Sequence, residues 1–378
     1  MTANLVIQTA FVGDLFLSLP LLRGLKALEP ERPLAVLTRR GLGEVLLAYG
    51  VADQVIEVDK SSGRSWRQVR AALKAEQFHH ILSPHSSVRS ALLAFGLRAQ
   101  GQKLGYRFWW NRWAFDLRPS RPHHWPDALR QLSLLRPLSE LWGERLSNLE
   151  GERGDLNNPD DFQRPQQQVP LFDCSEIPIP EWAQIKLGEL SDQGPWQEEV
   201  QVWMEQQGIS SQKKGERIFM APGSVWPTKR WTLEGFAQVA RALATEGYEV
   251  ILVGTAQERE LCAQITDLAG SPLSNWAGQT TLVQLLESFR QGALLIGNDS
   301  GSQHMAASVG LPLVSIFGPT TLSLGYRPWQ ERALVVGQPL PCRPCGPHGA
   351  KKCPLGTHEC MKSISAERVL SAARQLLN

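Results

Sequence analysis

The sequence predicts an α/β protein of two tandem domains, each with a parallel sheet covered by helices. The chain has 378 residues, which is enough for about two domains. Short apolar runs of strand length alternate with helical stretches in residues 5–82 and again in residues 217–317, and this alternation is typical of βαβ units. Residues 150–200 lack the pattern, so we expect them to hold the end of the first domain and a linker.

Composition excludes several classes of protein. With 42% hydrophobic and 20% charged residues, the chain has enough apolar material for two cores and is not globally disordered. A net charge of +2 argues against a protein that coats nucleic acid through its overall charge, and six cysteines are too few for a disulfide scaffold. The longest apolar runs fall far short of the roughly 20 residues that span a bilayer. The N-terminus lacks the basic start of a signal peptide, so we expect a cytoplasmic protein.

The alternation predicts two series of elements. The first series has strands at 5–7, 34–37, 54–58 and 79–82 and helices at 15–28, 42–49 and 66–76. The second has strands at 217–220, 248–254, 293–297 and 313–317 and helices at 233–246, 258–269, 282–291 and 302–309. We therefore expect an N-terminal domain over 1–185, a C-terminal domain over 186–360, and a C-terminal helix in 361–378 that can pack back on the N-terminal domain. Ligands of such folds bind at the carboxyl ends of the strands, here in a cleft between two sheets.

The first motif lies between the first strand and the first helix and reads Thr9-Ala10-Phe11-Val12-Gly13-Asp14. Gly13 permits close approach of the backbone to a ligand, and the helix start offers free N–H groups. Asp14 can act on that ligand, or it can be a first-turn acid that only complements the helix dipole. The dinucleotide fingerprint G-x-G-x-x-G is absent here, which argues against a nicotinamide-dependent enzyme.

The second motif follows a strand, precedes a helix and has the letters APGSVWPTKRW over residues 221–231. Small residues, hydroxyl groups and a cationic pair suit a diphosphate, because they supply hydrogen-bond donors and positive charge. The motif is not a Walker A loop, which weighs against an ATPase. A solvated basic turn is the alternative.

Two further motifs follow strands in the second half. The run GNDSGSQH over residues 297–304 opens a helix whose first N–H groups can cradle a phosphate. Within it, Asp299 can instead be a simple cap, and His304 can face the ligand or pack in the core. The run Ile316-Phe317-Gly318-Pro319-Thr320 ends the next strand with a tight turn toward the same cleft.

Together the four motifs resemble those of the ADP-heptose:lipopolysaccharide heptosyltransferases. That family has a strand-G-D-helix start, a P-G-S-x-W-x-x-K-R-W loop, and an N-D-S-G-x-x-H helix start followed by a G-P-T turn. This sequence matches all four in order, and the W-P-T-K-R-W spelling and the late cysteines are most similar to the branch that adds the second heptose. The resemblance implies the GT-B type of glycosyltransferase fold: two Rossmann-like domains facing a cleft, the acceptor domain first and the nucleotide-sugar domain second.

The resemblance also implies roles for particular residues. Asp14 matches the family's general base, Lys229 and Ser224 match its diphosphate contacts, and Glu258 loosely matches an acid near the nucleotide ribose. The candidate donor-binding residues are Gly13, Gly223, Ser224, Thr228, Lys229, Glu258, Asp299, Ser300, Gly301 and His304. In the implied reaction, a single inverting displacement, Asp14 deprotonates the acceptor hydroxyl while Lys229 and two helix starts stabilise the departing ADP.

This mechanism requires no metal, and the chain contains no Asp-x-Asp triad of the kind that metal-dependent transferases use. Two other functions remain open: a nucleotide-sugar epimerase on the same fold, and a non-catalytic nucleotide-sugar binding module. An epimerase should need no basic acceptor surface. A binding module should tolerate the loss of Asp14.

A basic and aromatic stretch at 103–130 indicates an acceptor site. Residues 1–150 hold 20 Lys+Arg and 13 Asp+Glu, and within this stretch Arg107, Arg121 and His123 are the candidate acceptor-binding residues. The composition suits a phosphorylated sugar acceptor on a lipid, but single-stranded nucleic acid would use the same residue types, and the tryptophans could instead be core. The resemblance favours the anionic lipopolysaccharide core, with peripheral contact to the inner face of the inner membrane and no nucleic acid as partner.

Four late cysteines form the last candidate site. They are Cys342, Cys345, Cys353 and Cys360. The first pair has the spacing of a zinc knuckle, whereas the other intervals are irregular. Structural zinc is one interpretation, and reduced thiols are the favoured one, because disulfides are rare in the cytosol.

Overall fold

A computed structural model describes residues 1–152, 171–176, 179–209 and 215–378. The described residues form two compact units, one of residues 1–152 and 180–197, the other of residues 171–176, 179, 198–209 and 215–378. The expected boundary at 185–186 falls inside the first unit, because 180–197 pack on its helices. Arg23 donates to the carbonyl of Gln184 at 3.3 Å, and the N–H of Ser191 donates to the carbonyl of Ala48 at 2.7 Å. Most of the polar part of the predicted linker, 153–170, lies outside the described residues.

Parallel strands at the centre of the first unit run through its core. In chain order they are β1 (Asn4–Gln8), β2 (Leu34–Arg39), β3 (Gln54–Val58), β4 (Gln77–Phe78), β5 (Ile81–Ser83), β6 (Arg98–Ala99) and β7 (Lys103–Gly105). The main sheet has the order β3-β2-β1-β5-β7, and β4 pairs with β6 apart from it. The order reverses between β1 and β5, so the loops after these two strands flank the switch point at which open α/β sheets bind ligands.

The helices of the first unit differ from prediction in two ways: one predicted helix is divided, and three helices after residue 76 were not predicted. The helices of this unit are α1 (Val12–Leu17), α2 (Leu19–Leu28), α3 (Gly43–Ala48), α4 (Gly63–Ala75), α5 (Val88–Phe95), α6 (Asp127–Leu132) and α7 (Glu140–Glu152). The single helix predicted over 15–28 is divided at Ser18, whose hydroxyl donates to the carbonyl of Leu15 at 2.6 Å. Pro20 follows in the first turn of α2, where its missing N–H costs nothing.

The second unit repeats the architecture with a larger sheet. Its strands are β8 (Leu171–Asp173), β9 (Arg217–Ala221), β10 (Glu249–Leu252), β11 (Ser274–Asn275), β12 (Leu294–Asn298), β13 (Leu313–Phe317) and β14 (Ala333–Gly337). They lie in the order β11-β10-β9-β12-β13-β14-β8, all parallel except β8, which runs antiparallel to β14. The switch point falls between β9 and β12, where Ala221 lies opposite Gly297. Both predicted phosphate motifs directly follow these two strands.

The C-terminal helix packs on the second unit. The helices here are α8 (Trp196–Gln206), which spans the boundary, α9 (Leu233–Thr245), α10 (Arg259–Ala269), α11 (Leu282–Arg290), α12 (Gly301–Ser308), α13 (Glu359–Lys362) and α14 (Ala366–Leu377). Val369, Ala372 and Ala373 of α14 are buried in the core of the second unit, and Arg374 pairs with Glu246 on the turn after α9. The apolar face of this helix thus completes the core of its own unit, and its packing on the N-terminal domain stays a prediction. Among the described residues, no helix is long and apolar enough to cross a membrane.

Candidate functional site

Asp14 lies on α1, directly after β1 at the switch point of the first unit. Its carboxylate accepts a hydrogen bond from the backbone N–H of Phe11 at 3.1 Å, and the side chain is partly exposed. The amide of Gln131 donates to the backbone carbonyl of Asp14 at 3.2 Å, and the amide of Gln8 does so at 3.4 Å. These contacts hold the carboxylate at the edge of the sheet where a ligand can reach it.

A buried polar network supports this turn. Gln8 donates to the side-chain oxygen of Gln131 at 2.8 Å, and Gln131 donates to Oδ2 of Asp127 at 2.8 Å. The other oxygen of Asp127 accepts from Arg121 at 2.9 Å, and Arg130 lies 3.7 Å from it. Arg121 is therefore held by Asp127, and it acts on Asp14 only through its electrostatic field.

The surroundings of Asp14 shift its acidity. Burial, as the largest cause, and the negative charge of Asp127 raise the pKa of Asp14, while the N–H of Phe11 and the charge of Arg121 lower it, and the net pKa is about 6. An acid that only complemented a helix dipole would have a lowered pKa. A carboxylate with a pKa near 6 is ionised at neutral pH and still basic enough to take a proton. The raised pKa therefore fits the predicted general base better than a dipole acid, and the role of Asp14 stays a prediction.

The candidate acceptor residues do not share one environment. Arg107 and His123 are exposed, and burial together with the neighbouring cations Arg121 and Arg130 lowers the pKa of His123. Arg121 is partly buried and paired with Asp127, so it is no freely solvated cation. The tryptophans divide as well. Trp125 is fully buried, whereas Trp109 is 89% exposed and Trp113 is 43% exposed.

Sequence reasoning missed two cations beside the Asp14 turn. The guanidinium of Arg39 lies 5.6 Å from the centre of the Phe11 ring. Burial and the charges of Arg39 and Arg89 lower the pKa of Lys60, while the charge of Asp14 opposes that shift. Arg39 ends β2 and Lys60 follows β3 by two residues. A search for charges after every predicted parallel strand would have found both, because the carboxyl ends of such strands meet at one edge.

The loop after β9 is folded by its own arginine. The carbonyl of Ser224 accepts from Nε of Arg230 at 2.9 Å and from Nη2 at 2.8 Å. The hydroxyl of Ser224 accepts from the backbone N–H of Trp226 at 3.3 Å. Of the two adjacent cations in the motif, Arg230 is thus used to shape the loop, and Lys229 faces elsewhere.

Lys229 joins the motifs of the second unit. Its ammonium lies 2.6 Å from Oδ2 of Asp299, and both side chains are buried. The hydroxyl of Thr320 donates to the same oxygen at 2.5 Å, and Gln303 donates to the other oxygen at 3.2 Å. Three motifs that are distant in sequence therefore meet around one carboxylate at the carboxyl ends of β9, β12 and β13.

Glu258 lies over two glycines beside this cluster. A Cβ added at Gly223 would lie 1.9 Å from Oε1 of Glu258, and one added at Gly254 would lie 2.9 Å from Oε2. The backbone N–H of Thr255 donates to Oε2 at 2.8 Å, and its hydroxyl does so at 3.0 Å. Any side chain at Gly223 would displace the carboxylate, so this glycine makes room for an acidic group at the ends of β9 and β10.

Ser300 and Gly301 begin α12 at the switch point. Ser300 has extended backbone geometry before the helix, and its hydroxyl lies 2.8 Å from that of Ser302. The first N–H groups of α12 therefore face the carboxyl edge of the sheet. His304, one turn on, is 3% exposed, and its Nε2 lies 3.3 Å from the side-chain nitrogen of Gln303.

Thr228 connects two loops: the predicted donor-binding loop over residues 222–232 (the donor loop), and the loop over residues 338–358 that carries Cys342, Cys345 and Cys353 (the cysteine-bearing loop). Its hydroxyl donates to the carbonyl of Ala350, and its own carbonyl lies 2.7 Å from Nε2 of His358. Next to it, the rings of Trp226 and His348 are stacked with centroids 5.9 Å apart. Thr228 thus holds the segment around 348–358 against the donor loop.

The cysteines are all free thiols in the structure. Cys353 accepts a hydrogen bond from the N–H of His358 at 3.4 Å, and backbone N–H groups of this turn lower its pKa. Cys360 is buried, and burial raises its pKa to about 11. Within the described ranges, the four sulfurs do not form a group whose ligand atoms all lie within 4.8 Å of one another. Whether they bind zinc stays a hypothesis.

One cluster does bring ligand atoms together, and sequence reasoning missed it. Among the described residues, Glu29, His79 and His80 have ligand atoms within 4.8 Å of one another. However, Nδ1 of His80 accepts a hydrogen bond from the N–H of Gln102 at 2.9 Å, which places the proton of the neutral ring on Nε2. Nε2 of His80 lies 3.8 Å from Oε1 of Glu29, and because it carries the proton it has no lone pair for a metal ion.

The sequence profile of glycosyltransferase family 9 (heptosyltransferase) matches residues 66–354. The chain belongs to this family. The match includes the donor loop, Glu258 and the start of α12, and it ends within the cysteine-bearing loop.

Relatives in this family agree with the match. Lipopolysaccharide heptosyltransferase 2 of Salmonella typhimurium is 25% identical over 390 residues, which cover 99% of this chain and 98% of that protein. Lipooligosaccharide heptosyltransferase 2 of Campylobacter jejuni is 34% identical over 172 residues, which cover 44% of this chain. In that second comparison the chain spans about half the length of the relative, 52%.

Solved structures of the family share the fold. A glycosyltransferase family 9 protein from Veillonella parvula superposes with a TM-score of 0.73 at 22% identity, covering 99% of this chain and 97% of that one. Escherichia coli ADP-heptose LPS heptosyltransferase II does so with a TM-score of 0.67 at 22% identity, covering 99% and 98%. The predicted GT-B fold is confirmed.

Proposed function

We propose that this chain transfers a heptose from ADP-heptose to the inner core of lipopolysaccharide or lipooligosaccharide, with inversion at the anomeric carbon. The observation that carries the proposal is the Asp14 carboxylate. It is partly exposed, lies at the switch point of the first unit, and has a pKa raised to about 6. In a member of the heptosyltransferase family, such a group is suited to deprotonate an acceptor hydroxyl.

The second unit supplies the donor site in this proposal. Escherichia coli heptosyltransferase WaaC, which shares the fold, has been solved with ADP and with ADP-2-deoxy-2-fluoro heptose. Here, Glu258 would accept hydrogen bonds from ribose hydroxyls, and the first N–H groups of α12 would bind the diphosphate. Lys229, held at 2.6 Å from Asp299, would stabilise the charge that develops on departing ADP.

The first unit supplies the base and the acceptor site. As the acceptor hydroxyl attacks the anomeric carbon, its proton passes to Asp14, and the bond to the diphosphate breaks on the opposite face. The exposed cation Arg107 would bind the anionic core saccharide, and the neutral ring of His123 would hydrogen-bond to it. Arg121 would fix the Asp127 network behind them. We further propose that the enzyme acts on the cytoplasmic face of the inner membrane and needs no metal, and that its acceptor carries one heptose.

A transfer assay tests the proposal directly. Radiolabelled ADP-heptose is incubated with the full chain and with lipopolysaccharide truncated before the first heptose or after it, with and without EDTA. We expect label only on the acceptor that already carries one heptose, at the same rate with EDTA. Label on the shorter acceptor would assign the other branch, and a loss with EDTA would contradict metal independence. Recovery of an epimerised donor sugar, or binding without turnover, would overturn the proposal in favour of an epimerase or a binding module.

A further inference from the structure

The segment from residue 60 to residue 115 has a strong excess of positive charge. It contains ten Lys and Arg, at Lys60, Arg64, Arg67, Arg70, Lys74, Arg89, Arg98, Lys103, Arg107 and Arg112, and its one acid is Glu76. The helices α4 and α5 within it carry no acid at all. Such a concentration of one sign in a chain of net charge +2 marks a surface that attracts a polyanion.

An apolar stripe lies within this charged region. Val88, Leu92 and Phe95 of α5 are 56%, 52% and 58% exposed. Their spacing places them along one side of the helix, away from the buried residues Ala91 and Ala94. A soluble protein normally buries such a stripe, so its exposure calls for a partner.

Trp113 extends the stripe, and a second exposed tryptophan lies four positions before it in the chain. Trp113 is 43% exposed and meets the ring of Phe95 edge-on, with centroids 5.3 Å apart. Trp109, in the same loop, is 89% exposed. Tryptophan is enriched at the boundary between hydrocarbon and water, where its ring is partly buried and its N–H stays hydrated.

The cations of α4 surround the same stripe. The guanidinium of Arg89 lies 5.2 Å from the centre of the Trp66 ring, which ties α5 to α4. A Cβ added at Gly96 would lie 3.3 Å from Cε of Lys74 and 3.5 Å from Nη2 of Arg70, so both cations reach the end of α5. The apolar residues and the positive charges therefore form one continuous surface.

We propose that this surface, formed by α4, α5 and the loop that carries Trp109 and Trp113, docks the protein on an anionic lipid bilayer. The exposed apolar side chains would enter the headgroup region, and the arginines and lysines of α4 would contact anionic headgroups. Each cation near such a surface strengthens binding by about five-fold.

Other partners fit the surface less well. Single-stranded nucleic acid would engage the cations and tryptophans, but Val88 and Leu92 offer it no ring to stack on. A second copy of the chain in a symmetric contact would bring two strongly positive surfaces face to face, and like charges disfavour that contact. An anionic bilayer is complementary to both the apolar and the charged parts of the surface.

The docking proposal goes beyond transferase activity and rests on the proposed function only for its activity readout. The full chain is sedimented with vesicles of phosphatidylcholine alone and of phosphatidylcholine with phosphatidylglycerol, over a range of salt. Two variants separate the parts of the surface: Leu92→Ser with Phe95→Ser removes the apolar stripe, and Arg67→Gln with Arg70→Gln and Lys74→Gln removes the charge. Val202→Ser with Leu268→Ser, two exposed apolar residues of the second unit, is the matched control.

We expect the wild type and the control to bind phosphatidylglycerol vesicles, to bind phosphatidylcholine vesicles at least tenfold more weakly, and to be released by salt. Each surface variant should lose at least tenfold in binding. Equal binding to both vesicle types, or unchanged binding of both variants, would overturn the proposal. So would displacement of the protein from vesicles by single-stranded DNA at equal charge concentration, or a loss of dimers in the Leu92 and Phe95 variant.

Activity separates this proposal from the proposed function. With water-soluble, deacylated acceptor, the surface variants should transfer heptose at the wild-type rate, whereas with acceptor embedded in anionic vesicles they should be slower. If vesicle binding follows the prediction and no variant transfers heptose, the docking surface stands and the proposed function fails. Equal slowing of the surface variants on soluble acceptor would place these residues in the reaction rather than in docking and would overturn the proposal.

Discussion

Two aspartates follow parallel strands in this molecule, and their surroundings differ. Asp14, after β1, has no cation bonded to its carboxylate among the described contacts, and burial raises its pKa to about 6. Asp299, after β12, lies 2.6 Å from the ammonium of Lys229 and also accepts from Thr320 and Gln303. The same residue type at the switch points of two related sheets therefore has two different environments.

The difference lies in the groups that are bonded to each carboxylate. A base must be free to take a proton, so the nearby guanidinium of Arg121 is bound by Asp127 instead of by Asp14. A carboxylate that orients a lysine must itself be held in place, and Lys229, Thr320 and Gln303 all donate to Asp299. In the proposed reaction, the first unit would supply the proton acceptor and the second unit a positioned cation.

The largest expected effect is on the base itself. Asp14→Asn keeps the shape of the turn and removes the proton acceptor, so the transfer rate should fall by about 10²–10⁴-fold. ADP affinity, measured by calorimetry, should stay unchanged because the proposed donor site lies in the other unit. Glu31→Gln, at an exposed acid of the same unit, is the matched control. Transfer within a few-fold of wild type would reduce Asp14 to a dipole acid.

The second prediction addresses the paired cation. Lys229→Ala should weaken ADP binding by roughly 10- to 150-fold, because one charge-assisted contact to phosphate contributes about 1.5–3 kcal/mol. Arg230→Ala is the comparison, and it should act through the loop that Arg230 holds at Ser224. Since Lys229→Ala leaves Asp299 buried without its partner, Lys229→Met with Asp299→Asn removes both charges and keeps the test valid if the single variant unfolds. Unchanged ADP affinity in all these variants would show that the diphosphate binds elsewhere.

The third prediction concerns stability against pH. The folded-state pKa of Asp14 lies above its ordinary 3.8, so ionisation is costly in the folded state. Relative to the ionised form, protonated Asp14 therefore stabilises the folded state. This contribution is complete below pH 3.8 and is lost as the pH rises through about 6. At pH about 8, Asp14→Asn should therefore have a larger free energy of unfolding than the wild type. The upper limit is about 3 kcal/mol, and the difference should be smaller because the side chain is partly exposed and solvent screens it. Denaturant unfolding at both pH values measures it, and an equal difference at pH about 3 would contradict the assignment.

The fourth prediction concerns the acidic limb of the pH profile of kcat/KM. Below about pH 6, kcat/KM should fall about tenfold for each pH unit as Asp14 is protonated. Arg121→Gln removes a charge that lowers the pKa of Asp14, so it should shift this limb to higher pH. The pH profiles of the wild type and the variant measure both effects. If the acidic limb of the variant's pH profile is not shifted, the charge of Arg121 does not affect the pKa of Asp14.

The smallest effect is expected at the exposed acceptor residue. Arg107→Glu should raise the KM for acceptor by a few-fold and leave the KM for ADP-heptose unchanged, because exposed charges interact weakly. Arg121→Glu is a poor companion, since it would place a second carboxylate beside the buried Asp127. Steady-state kinetics at low and high salt measures the change. An unchanged acceptor KM would make Arg107 ordinary solvated surface.

Local patterns predicted much of this molecule correctly. The strands at 217–220 and 313–317 are buried apolar runs of β length, and the structure places strands there. The motifs after β9, β12 and β13 meet because the carboxyl ends of parallel strands share one edge. The helix predicted over 15–28 was wrong at Ser18, although Pro20 marked the break. No pattern predicted the short helix α6, which carries Asp127 and Gln131.

By itself the sequence determined the two α/β units, the positions of Asp14, Lys229 and Asp299 at strand ends, and the family. Tertiary structure decided how these groups are charged and paired. Gln131, 117 positions from Asp14, braces its turn, and Asp299, 70 positions from Lys229, holds its ammonium. It also decided that Arg121 pairs with Asp127 and that α14 completes the second core. The physical reason is that the periodicity of strands and helices depends on residues that are close in sequence. Burial and charge pairing depend instead on residues that become close only when the chain folds.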